Sequence, residues 1–582
     1  MTLLDELSAV LGEAFSAAGL DESYGRVARA DRPDLAQFQC NGALAAAKAA
    51  KENPRALAQR IIDQLGDSDV FAEVAIAGPG FINLKLNDAW LVSRIDDVSG
   101  PWRRTAPEKI VIDYGGPNVA KPLHVGHLRA AIIGESLKRI ARETGDDVIG
   151  DAHLGDWGLQ MGQLISELEL REPGLPYFDP ANEGPFPDQA PITLKDLEAM
   201  YPAASAACKA DEARAKLARD ATKALQDGRP GYRALWRHFV DLSVAAMKID
   251  YSDLGVEFDL WNGEADADPL LPEIEDDLRA RKILEASDGA EIIRVARDDD
   301  KKEIPPIIFR NSRGAVGYHA TDVATIVDRV RSIDPVRMLY VVDARQRLHF
   351  EQVFRAVDRA GFFDEEKLEH LWFGTMNGKD GKPFKTREGG TLKLRDFIDM
   401  VTEKARQRLD ENGLADGYGE DETADIAQKV GVAALKFADL SNPRTSDYIF
   451  DIDRFTAFEG KTGPYLLYAR ARIRSVLAKA GADDAGDPPA LQIAAPEERD
   501  LALALAQFSD AHRDAYEKRL PHILCDHAFS LAQAFSKFYA ACRIADEPDD
   551  ALRTSRIGLA QKVAAQLDLI FAMLGLPAPA RM

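Results

Sequence analysis

The sequence predicts an α/β protein with a doubly wound parallel sheet at its centre, a smaller α/β module before it and an all-α bundle after it. Three observations predict this. From about residue 108, short apolar strands alternate with amphipathic helices, the pattern of a parallel sheet with helices on both faces. Before residue 105, helical patterns precede two short strands joined by a tight turn. After about residue 401, the chain carries long Ala- and Leu-rich amphipathic segments suited to a bundle. A length of 582 residues accommodates several such units.

In the first unit, 1–105, helices are expected over 3–18 and 43–65 and strands over 70–76 and 81–86. Ala77-Gly78-Pro79-Gly80 supplies the turn between the strands. The opening residues carry acids within an amphipathic pattern, so they read as a helix and not as a signal peptide. A Gly-Pro-Trp stretch at 100–102 marks the boundary. The second unit, 106–400, opens with a strand over 109–114 and a helix over 128–143. That helix has Leu128, Ile132, Ile133, Leu137 and Ile140 on one face. A strand follows at 147–150. The Pro-, Asp- and Glu-rich stretch 171–203 reads as a loop, and 205–250 as helical. A further α/β portion runs from 306 to 400, with a buried strand at 338–342 and a helix at 348–359. Insertions are expected at about 171–250 and 262–315. Residues 401–455 read as a helical connection and 456–582 as the bundle, with helices at 497–545 and 553–575 and an acidic loop at 482–489.

The net charge of −23 excludes a general nucleic-acid coating protein, since phosphate binding draws on Lys and Arg. It leaves room for an enzyme that binds nucleic acid through local basic patches. The four cysteines (Cys40, Cys208, Cys525, Cys542) form no C-x-x-C, which argues against zinc and a disulfide framework and fits a reducing cytoplasm. No apolar stretch reads as long enough to cross a bilayer, so no membrane partner is expected.

The run 109–129, KIVIDYGGPNVAKPLHVGHLR, carries the chemistry. A strand ends in a Gly-Pro-Asn turn, and a helix opens with His124-Val125-Gly126-His127. The first turn of a helix has unpaired N–H groups and partial positive charge that attract phosphate. Two imidazoles add donors there, and Gly126 lets a flat base approach the backbone. Far downstream, Lys382 and Lys385 lie in Gly381-Lys382-Pro383-Phe384-Lys385-Thr386-Arg387, a loop able to close over phosphates. Asp113 ends the first strand, where such sheets bind ligands. Tyr318 and Asp322 stand i, i+4 on one face of an expected helix. Taken singly, Asp113 also fits a capping residue, Tyr318 a core residue, Gln346 a surface residue, and His153 and His349 partly buried structural histidines. His238, His370, His512, His522 and His527 read as structural.

HVGH and KPFKTR together resemble the paired signature motifs of the class I aminoacyl-tRNA synthetases. The blocks DYGGPNVAKPLHVGHLR, HLGDWGLQMG (153–162), GYHATDVATIVDR (317–329) and DARQRLHFEQVF (343–354) resemble those of one member family, the arginyl-tRNA synthetases. So do AGPGFINLKL (77–86) near the N-terminus and Asp550-Ala551-Leu552-Arg553 in the bundle. The resemblance implies a Rossmann-type catalytic domain, an N-terminal tRNA-binding module and a C-terminal anticodon-binding bundle. It implies an arginine–tRNA ligase that is cytoplasmic and monomeric. Its partners would be tRNA(Arg), L-arginine and ATP, with ATP a substrate that brings Mg²⁺ and with no zinc.

Residue by residue, the resemblance gives His124, His127, Lys382 and Lys385 the catalytic roles, with Gly126 and His349 joining them around ATP. Asp113, Gly116, Asn118, His127, Tyr318, Asp322 and Gln346 would hold arginine, and Lys121 would add a phosphate contact. A guanidinium has five fixed donors and no acceptor, so a selective pocket needs carboxylates. The chain departs from the family pattern at Gly115-Gly116, where two serines are usual, and at Pro383-Phe384 inside the second motif. Interleaved aromatics and arginines at 465–474 are candidates for base contacts. The alternatives are a nucleotidyltransferase sharing the H-x-G-H motif, or a tRNA-binding paralogue without catalysis.

Overall fold

The structure is a computed structural model that describes residues 1–32, 35–312, 314–382, 392–483 and 491–582. The first unit is a four-stranded antiparallel sheet. β1 (Val27–Arg29), β2 (Phe38–Cys40), β3 (Phe71–Ala77) and β4 (Phe81–Leu86) lie in the order β1-β2-β4-β3. β1 and β2 are three residues each, too short to show an alternation, and the sequence reading did not include them. The helix expected over 43–65 is two helices, Gly42–Ala50 and Pro54–Leu65. Lys51 turns left-handed (φ 56°), Asn53 caps the second helix, and Pro54 takes its first position, where a missing N–H costs nothing.

The central sheet contains β5 (Lys109–Tyr114), β6 (Asp147–Asp151), β10 (Arg337–Val341) and β11 (Leu368–His370), all parallel, in the order β11-β10-β5-β6. β5 is buried on both faces and is apolar for that reason. Between β6 and β10 lie the insertions. The helices Leu194–Ala210, Glu212–Gln226 and Pro230–Asp253 come first, followed by a small antiparallel sheet of β7 (Glu285–Ser287), β8 (Ala290–Ile293) and β9 (Ile307–Arg310). The loop expected to 203 ends at Thr193, which forms a reciprocal cap with Asp196; Pro202 inside the helix hid its pattern from the sequence. β12 (Met376–Asn377) pairs in parallel with β13 (Tyr448–Ile449) and joins the sheet domain to the connecting helices Leu394–Glu411 and Glu420–Leu440.

The bundle consists of Gly463–Lys479, Pro496–Ala506, Phe508–Lys518, His522–Ala541 and Asp550–Leu574. The sequence reading found no segment long and apolar enough to cross a membrane, but by length and composition Asp550–Leu574 is one. Two-thirds of its apolar window is buried within the protein, as in a core helix. The bundle holds the first unit through Asp5–Arg513 (2.5 Å) and Arg499, which reaches Asp88 (2.5 Å) and the Leu86 carbonyl (2.7 Å).

The helix Val125–Thr144 lies against β5, and Gly134 marks the contact. A Cβ there would stand 2.2–2.5 Å from the Cγ, Cβ and Cδ2 atoms of Tyr114. Gly134→Ala is expected to destabilise the domain of the parallel sheet by about 1–3 kcal/mol through overpacking, read as a lower thermal midpoint by circular dichroism. A midpoint equal to the wild type's would contradict that packing.

Candidate active site

β5 has β6, which follows it through the helix Val125–Thr144, on one side and the much later β10 on the other. A crevice opens beyond the carboxyl ends of β5 and β10. It is a cleft of about 610 Å³, and Asp113, Gly116, Asn118, His124, Gly126, His127, Tyr318, Asp322, Gln346 and His349 all line it. Residues from three separated blocks of sequence therefore meet in one place.

His124 has extended backbone and caps the helix Val125–Thr144. Its Nδ1 accepts from the Gly126 N–H at 3.0 Å, and the Nδ1 of His127 accepts from the His124 N–H at 3.1 Å. This is a reciprocal cap built from two histidines, where Ser/Thr and Glu are usual. A ring nitrogen that accepts carries no proton, so each neutral ring carries its proton on Nε2. The rings stack with centroids 3.9 Å apart. Burial lowers both pKa values and brings His127 to about 3, with His124 and Lys121 adding to the shift at His127. At neutral pH the pair is thus uncharged. The expected free N–H groups are not available: Val125 donates to the Leu392 carbonyl (3.1 Å), Gly126 to His124, and His127 to the His124 carbonyl (2.8 Å). What this helix start can offer an anion is the two Nε2–H groups and the helix dipole. Gly126 is required here, since a Cβ would lie 2.7 Å from His124 Cε1.

The helix Tyr318–Ile333 supplies the opposing chemistry. Tyr318, Asp322, Thr325 and Arg329, spaced i, i+4, i+7 and i+11, all line the cleft. Asp322 Oδ2 lies 2.5 Å from His349 Nε2, and His349 stacks near His319 at 4.5 Å. Arg329, 1% exposed, donates to Oδ2 of both Asp113 and Asp151 at 2.6 Å. Burial still raises the Asp113 pKa, with Asp151 adding and Arg329 and His153 opposing. Asn118 is held by a parallel bridge to Gly155, where a Cβ would stand 2.3 Å from Asn118 Oδ1. Gly116 is as constrained, its Cβ position being 2.7 Å from the His153 carbonyl oxygen. Gln346 closes the turn after β10 and precedes the helix Arg347–Arg359.

Sequence reasoning missed three residues. Arg329 was readable from its spacing with Tyr318 and Asp322. Glu264 lines the cleft from within the insertion at 262–315, brought there by pairing of residues 260–263 with 151–154. Burial raises its pKa to about 7, with Asp322 adding and the Trp157 N–H opposing. No sequence signal marked it. His153 also lines the cleft, and both its ring nitrogens are buried without a hydrogen-bond partner, unlike a satisfied structural histidine.

The second motif is placed in part. Lys382 sits in a turn after β12, its N–H donating to Asp380 (3.1 Å), and it is not among the cleft-lining residues. Lys385, with Pro383 and Phe384, lies outside the described residues. The chain beyond, at Leu392–Leu394, pairs with Leu123–Val125 at the first motif. Lys121 faces a separate cavity, its ammonium 4.8 Å over the Tyr201 ring.

Three family models match the chain. Residues 1–86 match the arginyl tRNA synthetase N terminal domain, 95–452 the catalytic domain of class I (R) tRNA synthetases, and 466–582 the DALR anticodon binding domain. Curated relatives described as arginine–tRNA ligases, from Hyphomonas neptunium and Maricaulis maris, are 52% and 51% identical over the full length of both chains. The solved arginyl-tRNA synthetase of Plasmodium falciparum is similar in fold, with a TM-score of 0.83 at 23% identity, also over both full chains.

The histidine cap makes two expectations. Ring ¹⁵N spectra should show both imidazoles neutral and Nε2-protonated at pH 7, with His127 taking a proton only near pH 3. Because its folded pKa lies below the unfolded value of about 6.5, stability from His127 is full above that value and is lost as pH falls toward 3. A His127 that titrates near 6.5 in the folded protein would remove the cap argument. Gly126→Ala should displace the His124 ring and lower kcat while the fold, monitored by circular dichroism, is kept.

Proposed function

The chain belongs to the arginyl-tRNA synthetase family, and we propose that its strand-end cleft is where arginine and ATP react. The protein is an arginine–tRNA ligase. It activates L-arginine with ATP to arginyl-adenylate and transfers the arginine to the 3′ end of tRNA(Arg). The observation that carries the site assignment is the juxtaposition in one cleft of two neutral imidazole donors and an acid-bearing helix face.

In the first step the arginine carboxylate attacks the α-phosphorus of ATP and pyrophosphate leaves. No side-chain nucleophile is needed; alignment and charge stabilisation lower the barrier. His124 and His127 donate through Nε2–H to phosphate oxygens. Lys382 and Lys385 stabilise the departing pyrophosphate, and Lys121 adds positive potential from the adjoining cavity. His349 reaches the nucleotide after leaving Asp322. Tyr318, Asp322 and Asp113 receive the guanidinium; Asn118, Gln346 and Gly116 hold the amino and carboxylate groups. Mg²⁺ arrives on the triphosphate, mostly held by phosphates and water. Among the described residues no group of three His, Cys, Asp or Glu is placed to hold a metal ion. In the second step the terminal ribose hydroxyl of tRNA attacks the adenylate carbonyl and AMP leaves.

We assign tRNA contacts to the module 1–105 and anticodon reading to the bundle 456–582, joined to the catalytic domain 106–400 by 401–455. Within 465–474, Arg470 is committed inward to Asp568 (2.6 Å) and Arg472 covers Tyr539, which leaves Tyr468, 38% exposed, as the aromatic candidate for base stacking. Four free cysteines suit a reducing compartment such as the cytoplasm.

ATP–pyrophosphate exchange measured with each amino acid, with and without tRNA, tests the reading. Exchange should appear for arginine alone among the twenty. Absence of arginine-dependent exchange even with tRNA would overturn it, and exchange without any transfer to tRNA would favour a nucleotidyltransferase. Asp322→Asn should lower kcat/KM for arginine by roughly 30- to several-thousand-fold, the loss of one partner of a buried charge pair, with ATP binding by calorimetry little changed.

A further inference from the structure

We propose that Arg329 is a positioning residue for amino-acid selection: it divides one fixed positive charge between Asp113 and Asp151, so that this cluster at the strand end keeps a single net negative charge to offer a substrate guanidinium. The inference rests on the reading of this cleft as the arginine pocket.

The geometry is specific. Asp113 and Asp151 are register partners on β5 and β6, and Asp113 is the partner of Tyr340 on β10. Side chains at one register level share a sheet face, so two carboxylates stand on neighbouring strands. Both are buried, and neither can stay ionised there without a cation. Arg329 supplies it, donating to both carboxylates at 2.6 Å and to the Tyr340 hydroxyl at 3.2 Å. Two carboxylates against one guanidinium leave one negative charge, and Asp113 carries it to the cleft wall. The same side chain belongs to the helix face bearing Tyr318 and Asp322, so it also fixes how far that face stands from the strand end. The other titratable groups facing this cluster are His153 from the loop after β6, Asp322 and Asp328 on the helix of Arg329, and Asp266 from the insertion.

A purely structural ion pair would alter stability and leave the pH dependence of substrate binding alone. A charge-setting role predicts otherwise. Without Arg329, the Asp113–Asp151 pair must hold a shared proton, and an arginine entering the cleft must expel it. In Arg329→Gln, KM for arginine should rise about tenfold per pH unit as pH falls below the pKa of that pair, beyond any dependence seen in the wild type. KM for ATP, measured in the same exchange assay between pH 6 and 9, should stay within about twofold. Combining it with Asp151→Asn returns the cluster to one carboxylate and should flatten the profile. Asp151→Asn alone leaves Arg329 paired with Asp113 and the cluster neutral, so KM for arginine should rise at every pH.

Arginine KM profiles in Arg329→Gln that parallel the wild type's overturn the proposal. Should that variant not fold, an unchanged arginine KM in Asp151→Asn does so. Wild-type exchange is the control: if it lacks arginine dependence, the functional reading fails, whereas normal wild-type exchange with unmoved variant KM values removes only the role of Arg329.

Discussion

Two buried carboxylates side by side on neighbouring parallel strands require a cation, and the rest of the site is arranged around that requirement. Two carboxylates held at the spacing of neighbouring strands, about 4.8 Å, repel by roughly 3 kcal/mol even at a generous effective dielectric constant of 20. Arg329 turns the repulsion into attachment, and it comes from a helix, so the helix is pinned to the sheet at its Arg329 turn. Three turns back along the same face the helix presents Tyr318, and two turns back Asp322. The crevice exists because β5 lies between β6, which follows it, and the much later β10; its width is set by this pin. Topology provides the space and electrostatics fixes its wall.

The other wall follows a different rule. A helix N-terminus needs acceptors for its first N–H groups, and here two histidines are those acceptors. The requirement of the fold and the requirement of the chemistry then act on one ring. Nδ1 must keep its lone pair for the cap, which forces the proton to Nε2, on the opposite edge of the ring. Protonation of either ring would break the cap, and burial opposes it as well. The motif therefore presents oriented neutral donors, whose strength depends on placement rather than on charge.

The parts of this design differ in how far the sequence discloses them. Strand–helix alternation and the long Ala- and Leu-rich segments disclosed the parallel sheet and the bundle, because each period is a local property of the chain. β1 and β2 were invisible because three residues have no period. The Pro202 helix was hidden because a proline in its interior breaks the pattern its cap would have announced. Within the cleft, residues in three blocks were legible as blocks, and the structure brings ten of them together. Glu264 was not legible: it reaches the cleft only because residues 260–263 pair with 151–154, a long-range contact that leaves no trace in spacing. Arg329 was partly so, since its helical phase with Asp322 could be counted but its partners on β5 and β6 could not. Lys121 shows the converse. Its nearness to His124 in sequence suggested the phosphates, while in space Tyr201 draws its ammonium into a neighbouring cavity.

The residue after Asp113 extends the argument to the far end of the chain. The Tyr114 hydroxyl lies 2.7 Å from Glu135 and 2.8 Å from the Glu257 carbonyl. Glu135 also binds Arg139 (2.6 Å) and Lys138 (3.0 Å), and Arg139 donates to the carbonyls of Gly255 (3.0 Å) and Ala572 (3.2 Å). Ala572 ends the last helix of the bundle, and Lys436 is buried beside it, its ammonium on the Leu254 carbonyl and its pKa lowered to about 7 by burial. Each member of this knot is charged, largely desolvated or both, and losing one partner of such a pair costs on the order of 3–5 kcal/mol. A movement of the bundle's final helix must therefore carry Arg139 with it or break the hydrogen bond from Arg139 to the Ala572 carbonyl. Since Arg139 holds Glu135 and Glu135 holds Tyr114, the position of the bundle and the position of the strand end that bears Asp113 are one mechanical variable. The anticodon-binding end of the protein and the strand-end cleft are thus linked through side chains of the helix that begins with the two histidines.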